Sequence, residues 1–204
     1  MANYKIAIIV GSLREGSLNR RVARSICALR TDNLDCSMIE IGDLPLYNQD
    51  LDANPPAQWS RFRQQVGAAD GVLFCSPEYN RGIPGVLKNA IDVGSRPYGQ
   101  SVFDKKPAAI VTASPGAIGG FGANHQIRQA AVFLNMPVMQ QPEAYLGQVS
   151  DDSFDDSGCL KEGPLKGLIV TLAQSFHDWV DMIHRSRRLL AEDSAHAAQH
   201  REHA

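Results

Sequence analysis

Five short apolar, strand-like runs recur along this chain, some of them apolar at consecutive positions rather than at alternate ones, and that pattern restricts the fold more than any other feature. The clearest is Gly71, Val72, Leu73, Phe74 and Cys75; the others span residues 6–10, 36–41, 108–112 and, less regularly, 137–146. A strand that is apolar on both faces must be covered on both, as parallel strands are when helices lie above and below them. Segments with helical spacing alternate with these runs at 19–29, 57–68, 85–93, 125–134 and 165–190. The alternation predicts a doubly wound α/β domain with five parallel strands. In such sheets ligands bind beyond the carboxyl ends of the strands, where the strand order reverses. The segments after the first, third and fourth strands, residues 11–19, 76–84 and 114–120, are therefore expected to form one surface.

The length fits this architecture. With 204 residues, 44% of them hydrophobic, one domain can bury roughly 70% of its unfolded surface without covalent staples. The domain is expected over residues 1–186. Residues 187–204 are polar, lack an apolar face and are expected to form a flexible tail. A net charge of −2 provides neither the basic field a nucleic-acid partner needs nor the acidity of a dedicated electron carrier, which favours small-molecule chemistry. Cys27, Cys36, Cys75 and Cys159 form no C-x-x-C pair. The first residues lead into a strand without a basic, then apolar, leader, so a reduced, cytoplasmic setting is expected. No run approaches the roughly 18–20 apolar residues that cross a bilayer.

The first loop concentrates hydrogen-bond donors ahead of a helix. Gly11 and Gly16 permit tight backbone turns, Ser12, Ser17 and Asn19 carry polar side chains, Arg14 adds charge, and the helix opening brings free N–H groups with the positive end of its dipole. Ser17 and Leu18 stand where a P-loop needs Lys and Ser or Thr, and two glycines of the dinucleotide fingerprint are missing. Alone, this segment fits either a phosphate site or a helix capped by Ser17 or Asn19 with Arg14 in solvent. The second loop holds Pro77, Glu78, Tyr79 and Asn80, with Pro84 and two glycines fixing its path, so a planar heterocycle can rest on the Tyr79 ring. The third loop, Ser114 to Gly120, is nearly free of side chains, and its N–H groups can approach a ring edge closely.

Three motifs in this order, GSLREGSLN (11–19), SPEYNRGIPGVLKNAID (76–92) and ASPGAIGG (113–120), make the chain resemble the NADPH-dependent FMN reductase family of flavodoxin-like quinone, chromate and azo reductases. The resemblance covers about residues 4–186. It implies a flavodoxin-like sheet of order 2-1-3-4-5 with FMN at the switch point. By position, Ser12, Arg14, Ser17, Leu18 and Asn19 would hold the FMN phosphate. Pro77, Glu78, Tyr79 and Asn80 would flank the ribityl chain and flavin, and Ser114, Gly116 and Gly119 would border the ring. It further implies ping-pong hydride transfer from NADPH or NADH, through FMN, to quinones or other small soluble acceptors, in a homodimer or homotetramer. No catalytic side chain and no metal are implied, because the flavin carries the hydride chemistry. The competing reading is a flavodoxin-like electron carrier that does not oxidise NAD(P)H. The loops at 47–54 and 94–103 are expected to shape the entry.

Other suggestive residues receive plainer readings. Glu78 has two roles open to it, a side-chain contact to the ligand or acceptance of a backbone hydrogen bond. His125 is read as a capping or subunit-contact group, and His177 and His184 as helix surface or contact residues. His196, His200 and His203 have i, i+4, i+7 spacing but belong to the polar tail. The acidic run from Asp151 to Asp156 has Asp156 where a calcium loop requires Gly. Arg185, Arg187 and Arg188 complement the end of the last helix.

Overall fold

The computed structural model describes residues 3–29 and 33–202. Five strands form one parallel sheet in the order β2-β1-β3-β4-β5: β1 Tyr4–Val10, β2 Leu34–Ile39, β3 Gly71–Ser76, β4 Ala108–Ala113 and β5 Ala144–Leu146. The flavodoxin-like order expected from the sequence is thus the order found. Helices α1 Leu18–Ala28, α2 Ala57–Gly67, α3 Gly85–Gly94, α4 Phe121–Phe133 and α5 Pro164–Glu202 connect and follow the strands.

The apolar runs separate by residue parity, as a strand buried on both sides must. Ile6, Ile8, Val10, Leu73 and Cys75 meet Val22 and Ile26 of α1 and Ile169, Leu172, Phe176 and Val180 of α5. Ala7, Ile9, Val72 and Phe74 meet Trp59, Phe62 and Val66 of α2, Leu87, Ile91 and Val93 of α3, and Ile127 and Ala131 of α4. Phe62, Phe74 and Phe103 pack ring against ring within the second layer, and removing any one of them costs about 3–5 kcal/mol.

Two elements differ from expectation. The strand expected over 137–146 is three residues long, preceded by an isolated bridge between Ala108 and Val138. Pro137 and Pro142 have no N–H to donate, which prevents a longer ladder. The segment expected as a tail from residue 187 continues α5 as helix to Glu202. Leu189, Leu190, Ala191 and Glu192 favour helix, and neither Gly nor Pro intervenes to stop it. Side chains from Arg188 to His196 are exposed, in keeping with the missing apolar face. His203 and the side chain of His200 lie outside the described residues.

At the amino end of the sheet, α5 is tied down by polar contacts. The Tyr4 hydroxyl donates to Asp181 at 2.8 Å, the Trp179 indole to the Pro137 carbonyl at 2.8 Å, and His184 Nε2 lies 3.0 Å from the Asp70 carbonyl. His177 and His184 are contact residues, with their rings gathered about Tyr4. Arg185 pairs with Asp181, and Arg187 donates to the Lys105 carbonyl. Among the described residues, no helix is long and apolar enough to cross a membrane and no cluster of potential metal ligands occurs.

Candidate functional site

The carboxyl ends of β1, β3 and β4 bring the three loops together. Gly11 donates to the Cys75 carbonyl at 2.8 Å, and a Cβ there would stand 2.6 Å from Ser76 Oγ, so this approach of β1 to β3 requires glycine. Ser17 is the α1 N-cap: its hydroxyl oxygen accepts from Arg20 N–H at 3.2 Å and its carbonyl from Arg21 N–H at 3.1 Å. The N–H groups of Leu18 and Asn19 then have no partner among the described residues and carry the positive end of the helix dipole. Ser12 is 4% exposed, yet its hydroxyl makes no hydrogen bond with the described residues. Arg14 is exposed and has no carboxylate partner among them.

These groups surround a cavity of about 110 Å³. The first loop contributes Ser12, Arg14, Ser17, Leu18 and Asn19; the second contributes Pro77, Glu78 and Tyr79; β4 and the loop after it contribute Ala113, Ser114 and Pro115. Ser17 thus joins the two alternatives left open by the sequence, since it caps the helix and also borders the cavity. Larger hollows, about 560 Å³ between β2 and α2 and about 470 Å³ between α4 and α5, lie away from the loops. Neither combines an open helix amino terminus with unpaired hydroxyl donors.

Several residues named from the sequence have structural tasks that only the fold reveals. The Asn19 side chain is a buried clamp: Nδ2 donates to the Ala113 carbonyl at 2.9 Å, and Oδ1 accepts from Ala113 N–H at 3.0 Å. It fixes the start of α1 against the end of β4. Glu78 takes the second of its two readings, with Oε2 accepting Ala123 N–H at 3.0 Å and so capping α4 across the site. Asn80 stands outside the cavity wall at the tip of a tight hairpin. There Tyr79 and Gly82 exchange backbone hydrogen bonds of 2.9 and 3.0 Å, and Asn80 and Arg81 both take positive φ, a conformation Asn tolerates well. Tyr79, beside that tip, is 48% exposed and presents its ring at the rim.

Gly116 and Gly119 also stand outside the wall. Gly116 N–H donates to the Ser114 hydroxyl at 3.1 Å, which folds the third loop onto itself. Gly119, at φ +66°, presses on the Tyr145 backbone, where a Cβ would come within 2.5 Å of the carbonyl carbon. The loops at 47–54 and 94–103 contribute nothing to the wall. Tyr47 N–H is bonded to Asn89, and residues 94–103 follow the far end of α3, about 15 Å of helix from the site.

Sequence reasoning missed one group at this end of the sheet. Phe121 and His125 on α4 and Tyr145 on β5 gather their rings, with centroids 4.1 Å apart for Phe121 and His125 and 5.3 Å for Phe121 and Tyr145. Phe121 and His125 are one helical turn apart, a spacing that could have signalled a shared face; their meeting with Tyr145 depends on the sheet.

Comparison with known proteins agrees with this fold. The profile of the NADPH-dependent FMN reductase family matches residues 4–151, from β1 to just beyond β5. A quinone reductase of Pseudomonas putida is 54% identical over 180 residues, covering 88% of this chain and 96% of the relative. A 2-hydroxy-1,4-benzoquinone reductase of a Burkholderia species is 40% identical over 185 residues, covering 91% and 98%. Among solved structures, the flavoenzyme NAD(P)H:(acceptor) oxidoreductase FerB of Paracoccus denitrificans superposes with a TM-score of 0.83 at 35% identity, covering 88% of this chain and 98% of that one.

Proposed function

The chain belongs to the NADPH-dependent FMN reductase family, an FMN-dependent NAD(P)H oxidoreductase by that membership, and we propose that it holds FMN on the three converging loops and reduces quinones. One observation carries the placement: the unpartnered hydroxyl of Ser12, a residue only 4% exposed, and the open Leu18 and Asn19 N–H groups share a 110 Å³ cavity with Arg14. Such a donor set fits a phosphate dianion and little else of that size. Whole-ligand sites span roughly 300–1,000 Å³, so the flavin itself would extend from this cavity over the open rim.

Each residue then has a stated task. Arg14, the α1 dipole and the hydroxyls of Ser12 and Ser17 neutralise and orient the phosphate, and Leu18 and Asn19 add their main-chain donors. Pro77, Glu78 and Tyr79 border the flavin with main chain and ring, with Asn80 setting the hairpin that holds Tyr79. Ser114 lines the opposite side, and Gly116 and Gly119 fold its loop into place. FMN, when bound, supplies the hydride chemistry, so the chain contributes binding, orientation and electrostatics. NAD(P)H and acceptor would use the open rim in turn, a ping-pong cycle. Quinone as acceptor follows the activities of the two relatives named above and the aromatic rim. An electron carrier without NAD(P)H oxidation has no comparable support.

The exposed, adjacent Val132 and Phe133 at the end of α4, 79% and 78% accessible, support a homo-oligomer, and four free cysteines suit a cytoplasmic setting. Anaerobic titration of the purified protein with NADPH and then NADH tests the function: flavin absorbance should bleach with at least one and return when a quinone is added. A yellow protein bleached by neither donor would refute the reading.

A further inference from the structure

Phe121, His125 and Tyr145 form an aromatic face that the phosphate cavity does not use. The His125 and Tyr145 rings lie 6.0 Å apart with planes within 22°, and the Tyr145 hydroxyl is 3.3 Å from His125 Nε2. His125 is exposed and Phe121 keeps 49% of its surface open, so the group is not a core cluster that happens to reach the surface. Its position is fixed from both sides of the site. Glu78 caps α4 at Ala123, and the Gln126 side chain accepts Ile83 N–H at 2.7 Å, which joins α4 to the second loop. Ser114 donates to the Leu146 carbonyl at 2.9 Å, and Gly119 rests on the Tyr145 backbone, which joins β5 to the third loop. A half-apolar surface with a phenol and an imidazole near parallel and in contact, and the Phe121 ring tilted 52° and 50° to them, therefore stands on elements tied to the second and third loops.

We propose that Phe121, His125 and Tyr145 are the acceptor platform, on which a planar quinone stacks while the Tyr145–His125 pair delivers a proton to its carbonyl oxygen. The proposal rests on the quinone reading above. Converting a quinone to a hydroquinone takes two electrons and two protons. A hydride supplies both electrons with one proton. The second proton passes from the Tyr145 hydroxyl to the reduced carbonyl oxygen as the O–H bond of the phenol breaks. His125 then passes a proton from Nε2 to the phenolate as its Nδ1 takes one from solvent, a relay that leaves the charge of the ring unchanged, and exchange with solvent resets the tautomer. Burial, and then a hydrogen bond to Glu143, push the Tyr145 hydroxyl above its ordinary pKa, so the phenol keeps its proton until the reduced carbonyl oxygen takes it. Arg128 also faces Tyr145 and opposes that shift, and Glu78 and Arg81 are the charged groups on the neighbouring loop. The donated proton is thus replenished from solvent, while the aromatic faces select flat acceptors.

The test uses oxidised FMN-loaded protein without reductant and 2-methyl-1,4-naphthoquinone as probe. The His125 Cε1–H resonance, identified by its loss in His125→Gln, should move upfield by about 0.3 ppm or more as the quinone ring current reaches it. In steady state Phe121→Ala should raise the quinone KM about tenfold, whereas Tyr145→Phe should lower kcat about tenfold or more with KM little changed. Wild-type protein that is bleached by NADPH but does not reduce the naphthoquinone would overturn the quinone reading itself. Wild-type turnover with an unmoved His125 resonance and no split between the two variants would overturn the platform alone.

Discussion

Replacing Asn19 separates the fold's requirement for this residue from the ligand's. Its amide makes two hydrogen bonds, 2.9 and 3.0 Å, to the carbonyl and N–H of Ala113, and both residues are buried. Asn19→Ala leaves that donor and that acceptor of Ala113 without their side-chain partners. At about 1–2 kcal/mol for each unsatisfied buried group, the loss is about 2–4 kcal/mol. For a domain of this size the melting temperature should fall by roughly 4–16 °C. Urea denaturation of flavin-stripped wild-type and variant protein measures the effect without a contribution from bound ligand, and the slope m should be unchanged. FMN affinity should fall as well, because the clamp sets the distance between the opening of α1 and the third loop. Asn19→Asp keeps the acceptor but turns an oxygen toward the Ala113 carbonyl. Its carboxyl is then easier to protonate in the folded state than in the unfolded one, so the lost stability should return as pH falls through that raised pKa. A change below about 0.5 kcal/mol for Asn19→Ala, measured on stripped protein, would refute the clamp and return Asn19 to a purely ligand-facing role.

The two glycines of the third loop should behave differently. Gly119→Ala forces a Cβ to within 2.5 Å of the Tyr145 carbonyl carbon at φ +66° and should cost more than about 2 kcal/mol in urea denaturation. Gly116→Ala meets only Ser114 Oγ at 3.5 Å and should be nearly neutral, and equal effects at the two sites would contradict the packing. At the opposite end of the sheet, the hydrogen bond from Tyr4, and then Arg185, hold the Asp181 carboxyl below the usual range. Its contribution should be complete above its unfolded pKa, near 4, and fade as pH falls through the lower folded value. Asp181→Asn should therefore flatten the acid limb of a stability–pH curve, and parallel curves would exclude this contribution.

What the sequence revealed, and what it concealed, follows from how local each signal is. The central strand β3 was legible because Gly71, Val72, Leu73, Phe74 and Cys75 are apolar without alternation, the pattern of a strand covered on both faces. The loop positions followed from strand order, and the donors around Ser12 and Ser17 are contiguous in the chain. Asn19 looked like one more phosphate ligand because its partner, Ala113, is 94 residues away. Glu78 was ambiguous for the same reason: its bond to Ala123 depends on the third loop returning beside the second. Tyr145 gave no sign of its meeting with His125, since β5 is short and lies beside prolines that obscure it. The helix beyond residue 187 lacked the apolar face that marks a packed helix, and only residue propensity favoured it.

A crystal structure of the protein bound to FMN tests the central claim most directly. The account predicts the phosphate within hydrogen-bonding distance of the Ser12 hydroxyl and the Leu18 and Asn19 N–H groups, beside Arg14, with the flavin extending over Tyr79 toward Ser114. A nucleotide bound elsewhere, or a phosphate that makes no contact with the opening of α1, would contradict it.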